Sequence, residues 1–170
     1  MRLFHSSSSV LLFLLLATNT LTAQENEVQK IDSLITQFYK SFSFNDGAWK
    51  DAEKSKGFFF DQGRIVANLG DTPQNWTLKQ YITNVRERIT QQSVISIEEK
   101  EIFQKTDVFG KVAQRLSTYE IHSKTKDKEI IKNGVNMIQL LKVNGEWKVY
   151  SLIWDRESAQ QKIPAEFRPN

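Results

Sequence analysis

The spacing between apolar residues changes from three-and-four to two near Gln91, and that change constrains the fold more than any other feature of the chain. Before it, Val28, Ile31, Leu34, Ile35, Phe38, Tyr39 and Phe42 make the stripe of an amphipathic helix over residues 25–44. Beyond it, residues 94–103, 108–122, 129–143 and 146–156 are rich in β-branched and aromatic side chains and are separated by short polar turns, which predicts four long antiparallel strands. A striped helix must cover something, so the expected class is α+β, with three helices packed on a mainly antiparallel sheet.

The connecting segments refine this reading. Asn45-Asp46-Gly47 ends the first helix, and residues 48–56 predict a short second one with Asp46 as N-cap and Gly57 as stop. Phe58–Phe60, a turn at Asp61–Gly63 and Arg64–Ala67 predict a short edge strand or hairpin, followed by a loop over residues 69–75. Thr77 and Gln80 fit a capping box, and Leu78, Tyr81, Ile82, Val85 and Ile89 make the third helix amphipathic. Asn144-Gly145 predicts a type I′ hairpin, because both central residues need positive φ.

Strict alternation in the last strand puts Trp147, Val149, Ser151, Ile153 and Asp155 on one face and Lys148, Tyr150, Leu152, Trp154 and Arg156 on the other. Both faces are substantially apolar. One layer of helices covers only one, so the second is expected to meet the C-terminal tail or a second copy of the chain, as a homodimer through the outer sheet face. Residues 159–170 are expected to be a surface strap or a loose end.

Arg2, a polar stretch, the apolar run Val10–Ala17 and the small residue Ala23 read as a secretory signal over residues 1–23, cleaved after Ala23. The apolar run is shorter than a bilayer span requires, and no other stretch could cross one. The expected division is therefore a signal peptide at 1–23, one domain at 24–158 and the tail at 159–170, in a secreted or periplasmic protein. Cys is absent, which removes disulfides, thiolate metal sites and a Cys nucleophile. A formal net charge of +3 makes no electrostatic case for nucleic acid, and the lysines around Lys124–Lys128 read as a solvated hairpin tip. Asn75-Trp76-Thr77 is a glycosylation triplet of a kind that arises often by chance.

Helix, short helix, short strand, capped helix and four long strands, ending Leu140-Leu-Lys-Val-Asn-Gly-Glu-Trp-Lys-Val-Tyr150, resemble the nuclear transport factor two-like superfamily, and its SnoaL-like group most. Gly145-Glu-Trp147 and Phe109-Gly-Lys-Val-Ala113 carry the likeness at residue level. The resemblance implies a cone-like fold whose helices close over the sheet around a small apolar cavity. It also implies a choice of roles, since members include isomerases, dehydratases, cyclases, association domains and binding proteins. Enzymatic members typically place an Asp, or an Asp and His pair, inside the cone.

The residues that could serve such roles are few. His122 is the only histidine outside the signal, and it reads as a rim or surface residue more readily than as a general base. Asp155 could act if burial raised its pKa, and Asp61 sits in a turn where Asp is common for conformational reasons. Two strand spacings separate His122 from Asp155, so a direct dyad is not expected. Glu98 and Glu99 alternate faces and cannot share a metal ion, and no His or Cys cluster suggests one. Asn136 and Gln139 interrupt an apolar run on opposite faces, so at most one points into the cone. Trp49, Phe59, Trp76, Tyr81 and Trp154 are candidate aromatic walls, and Asn136 a candidate ligand contact.

Two readings follow. One is an exported binding or association module for a small, mainly apolar molecule, with no cofactor. The other is a SnoaL-like isomerase, dehydratase or cyclase using Asp155, His122 or Asp61. The scarcity of catalytic residue types favours the first.

Overall fold

The first helix buries its stripe as the periodicity requires: Ile31, Ile35, Phe38, Tyr39 and Phe42 all lie in the core. The computed structural model describes residues 8–45 and 47–169, with side chains from Gln24 onward. Helix α1 spans Ser8–Phe42 and α2 spans Leu78–Gln91. The signal expected over residues 1–23 lies outside the described side chains, and Asp46, the expected N-cap, outside the described residues. Among the described residues no helix is long and apolar enough to cross a membrane.

The short second helix is a 3-10 helix over Lys50–Phe58, and it has no side-chain cap. Trp49 precedes it, buried against Phe42 at 4.9 Å between ring centroids, with its indole N–H donating to the Ser41 carbonyl at 2.6 Å. The α2 capping box forms as expected: the Gln80 amide donates to Thr77 Oγ1, and the Thr77 amide to Gln80 Oε1.

Six strands form one open, mixed sheet: β1 (Phe59–Ala67), β2 (Gln74–Thr77), β3 (Ser96–Phe109), β4 (Val112–Lys124), β5 (Glu129–Val143) and β6 (Glu146–Arg156). Their order is β2-β1-β6-β5-β4-β3. The segment expected as an edge strand is thus interior. Strand β1 runs parallel to β6 on one side and antiparallel to β2 on the other, and β2 occupies the end of the expected loop. The turn expected at Asp61–Gly63 is absorbed as an irregularity within β1, where the register against β6 shifts between Phe59 and Arg64.

A β-bulge overturns strict alternation in β6. Leu140 pairs with Val149, yet Gln139 pairs with Ser151, so Tyr150 is the extra residue. Trp147 and Val149 face the helices before it, and Leu152, Trp154 and Arg156 after it. Ser151, Ile153 and Asp155 consequently turn to the outer face. Strand β6 thereby places Trp147, Val149, Leu152 and Trp154 together under the helical layer. A second bulge at Ile102 changes parity in β3.

The C-terminal tail crosses the outer face. Ile163 is buried, Thr118 Oγ1 donates to the Phe167 carbonyl at 2.7 Å, and Arg168 pairs with Glu157 at 2.5 Å. Of the two forms considered for the tail, these contacts make it a strap rather than a loose end, and it covers part of the face only. Val112, Met137 and Ile153 remain about half exposed beside it, at 50%, 50% and 44%.

Candidate functional site

The pocket begins where α1 ends. The Phe44 amide donates to the Ile97 carbonyl at 2.8 Å and the Ile97 amide returns to the Phe44 carbonyl at 2.9 Å, while the Glu99 amide donates to Ser43 Oγ at 3.0 Å. These bonds seat β3 under the end of the helix layer. Because Ile97 then faces inward, Glu99 two residues on does the same, and Glu98 points away.

Register carries this row across the sheet. Glu99 pairs with Ile121 and Ile121 with Lys132, while in the adjacent row Tyr119 pairs with Gly134 and Gly134 with Arg156. Gly134 is required by close approach: a Cβ there would overlap the Tyr119 hydroxyl and lie 2.5 Å from the Asp155 carbonyl. Tyr119 lies across the space that the missing side chain leaves.

Two joined lobes result. The inner one, about 60 Å³, is floored by Phe38, Ile65, Tyr119, Asn136 and Leu152. The outer one, about 210 Å³, is walled by Val85, Ile89, Ile97 and Ile130 and rimmed by Arg88 and Lys132. Phe42, Tyr81, Glu99, Ile121, Trp154 and Arg156 border both.

Glu99 is the one carboxylate on this lining, and no hydrogen bond reaches its side-chain oxygens from the described residues. Desolvation by the apolar wall pushes its carboxyl up to about 7, against a smaller opposing pull from Arg156. Burial likewise raises Tyr81 to about 12 and Tyr119 further, with the Glu99 charge adding to both. The Arg156 guanidinium stacks over Trp154 at 4.9 Å from its ring centre.

Of the candidates read from the sequence, Tyr81, Asn136 and Trp154 border the pocket. The Asn136 side-chain amide is engaged in structure, donating to Tyr39 Oη at 2.7 Å, which in turn shares a 2.7 Å hydrogen bond with Ser117 Oγ. Trp154 Nε1 is buried without a hydrogen-bond partner among the described residues. Trp49 and Phe59 are core residues that touch neither lobe, and Trp76 stands behind Tyr81, 5.8 Å between ring centroids.

The acid–base candidates lie elsewhere. His122 is on the outer face beside Glu120, 2.8 Å from its Oε1. Asp155 is on the same face, its Oδ1 accepting from the Arg156 amide at 2.7 Å. Asp61 is exposed on β1. Gln139 also points outward. Among the described residues no group of three or more His, Cys, Asp or Glu could hold a metal ion.

A second polar cluster is structural. Arg115, 2% exposed, donates from Nε to Glu101 at 2.9 Å and from Nη1 to Asp32 at 2.5 Å and Thr106 at 2.8 Å, and its Nη2 also reaches Glu101. It ties α1 to β3 and β4.

The sequence matches no protein-family model and no curated protein. Solved structures do match. An NTF2-like protein of unknown function from Shewanella baltica aligns with a TM-score of 0.52 at 18% identity, over 79% of this chain and 96% of its own. A candidate scytalone dehydratase from Novosphingobium aromaticivorans gives 0.64 at 13% identity, over 83% and 89%. A candidate calcium/calmodulin-dependent kinase II association domain from Exiguobacterium sibiricum gives 0.58 at 12% identity, over 78% and 94%. At these identities the likeness is one of fold.

Proposed function

The chain has the NTF2-like fold, and on that premise we propose that it is an exported module that binds a small, mainly apolar molecule inside the cone. The outer lobe carries this reading. At about 210 Å³ it exceeds the roughly 150 Å³ engineered cavity that holds benzene. One ring or a short branched chain fills it, and a single acid at its base orients the occupant.

Two copies pair through the outer face, where Val112, Met137 and Ile153 stay exposed beside the tail. The association-domain neighbour supports that part of the reading. Producing residues 1–170 in an exporting bacterium and weighing the recovered protein, denatured and then under native conditions, tests all three parts. The expected species starts at Gln24, is a dimer and carries added small-molecule mass. A retained leader removes export, a monomer removes pairing, and a bare assembly removes the ligand.

Glu99 favours a second reading, an acid–base enzyme of the isomerase, dehydratase or cyclase kind. The acid is then a glutamate rather than the expected Asp or His. A carboxyl that titrates at about 7 can both take and give a proton at neutral pH. Conversion of the bound molecule by the wild type, abolished in Glu99→Gln with binding retained, identifies the enzyme. A molecule that returns unchanged from the wild type leaves the binding module.

A further inference from the structure

We infer that the ligand is an amphiphilic monocarboxylate, its apolar body in the outer lobe and its carboxylate held at the rim by Arg88, Lys132 and Arg156. The inference rests on the pocket reading above and specifies its chemistry.

Three cations line this one lobe, and none has an ion-pair partner among the described residues. Some basic side chains elsewhere meet acids, among them Lys30 and Lys142 with Glu27 and Lys100 with Glu120, whereas this lobe gathers three cations around the single acid Glu99. Near-balanced charge overall thus coexists with a local excess at the pocket rim.

The three come from different elements. Arg88 is on the last turn of α2, Lys132 on β5 and Arg156 at the end of β6, so their convergence is set by tertiary structure rather than by a run of basic sequence. Lys132 registers their proximity: its ammonium is pushed down, first by desolvation and then by repulsion from Arg156, Lys128 and Arg88. Glu99 offsets one positive charge when ionised and none when protonated. A monoanion at the rim relieves repulsion in either state.

The apolar wall sets the rest of the ligand. Val85, Ile89, Ile97 and Ile130 offer no hydrogen bond from their side chains, so the part of the ligand that lies against them is hydrocarbon. Two guanidinium groups suit a planar carboxylate, which each can bind in bidentate fashion.

Calorimetric titration of the protein recovered from expression of residues 1–170 with 3-phenylpropionate, 3-phenylpropanamide and phenyl phosphate tests the assignment. The carboxylate is expected to bind about tenfold tighter than its amide at low salt, an advantage that shrinks as ionic strength rises. The double substitution Arg88→Gln with Lys132→Gln, both exposed side chains, should cut that advantage to under about threefold, while Lys126→Gln at the hairpin tip leaves it in place. An amide that binds as tightly as the carboxylate overturns the inference and leaves the pocket reading standing. Tighter binding of phenyl phosphate overturns carboxylate as the head group. Failure of all three to bind overturns the pocket reading and this inference together.

Discussion

Tyr119 and Gly134 face each other across β4 and β5, and the tyrosine hydroxyl occupies space that a side chain on residue 134 would need. Gly134→Ala therefore has to displace Tyr119 or the Asp155 carbonyl. Overpacking of this kind costs about 1–3 kcal/mol. Urea unfolding of the variant measures it, and restoration of stability in Gly134→Ala combined with Tyr119→Leu would trace the cost to this contact.

Glu99 gives the protein an unusual pH dependence. Its proton is held more tightly in the folded chain, at about 7, than at the ordinary value of 4.5. The stability it contributes is fully present below pH 4.5 and lost as pH rises through 7, a difference on the order of 3 kcal/mol. Glu99→Gln should be more stable than wild type at pH 8 and close to it at pH 4.5. Thermal unfolding at the two pH values reads the crossover.

Glu27 works in the opposite direction. Lys142, Lys30 and the Trp147 indole hold its carboxyl down to about 2. That contribution is present above pH 4.5 and lost as pH falls towards 2. Glu27→Gln should flatten the acid limb of the stability profile, whereas Glu99→Gln flattens the limb above pH 4.5.

Arg115 is the buried charge that joins α1 to the sheet. Arg115→Met leaves Glu101, which is 16% exposed at its side chain, without its cation. Breaking a buried pair on one side costs about 3–5 kcal/mol. The loss should appear in chemical denaturation, and Arg115→Met combined with Glu101→Gln should recover part of it.

Deleting residues 159–170 removes Ile163 from its buried site and takes the Phe167 carbonyl from Thr118. The expected cost is about 2–3 kcal/mol from the isoleucine alone. The newly uncovered outer face should also raise self-association, which sedimentation at increasing concentration would detect.

Much of this architecture is legible in sequence because its signals are local. The α1 stripe, the Thr77–Gln80 box, the Asn144-Gly145 turn and four long strands all follow from neighbours a few residues apart. Asn144 and Gly145 do take positive φ, at 50° and 87°. The nuclear transport factor two-like resemblance rests on the order of these elements, and the fold bears it out. What alternation cannot supply is a bulge. Tyr150 reverses the parity of β6, and with it the side of the sheet on which Trp154, Asp155 and Arg156 fall.

The site was less legible for a related reason. Alternation does send one of Glu98 and Glu99 inward, but the choice depends on the Phe44–Ile97 bridge, which joins residues far apart in the chain. Lys132 and Arg88 look like ordinary surface charges until register and helix packing bring them to one rim. His122 and Asp155 draw notice by residue type, yet residue type does not say which face of a sheet a side chain occupies.

The position of β1 also sets an order of events. Strands β3 to β6 form a meander whose neighbours are joined by short turns, so each hairpin can close as soon as it exists. Strand β1 has its main partner in β6, the last strand of the chain. The helical half cannot dock on its final neighbour until residues 146–156 are available. The slow step of folding should therefore be the joining of β1 to β6, a pairing that closes over most of the intervening sequence.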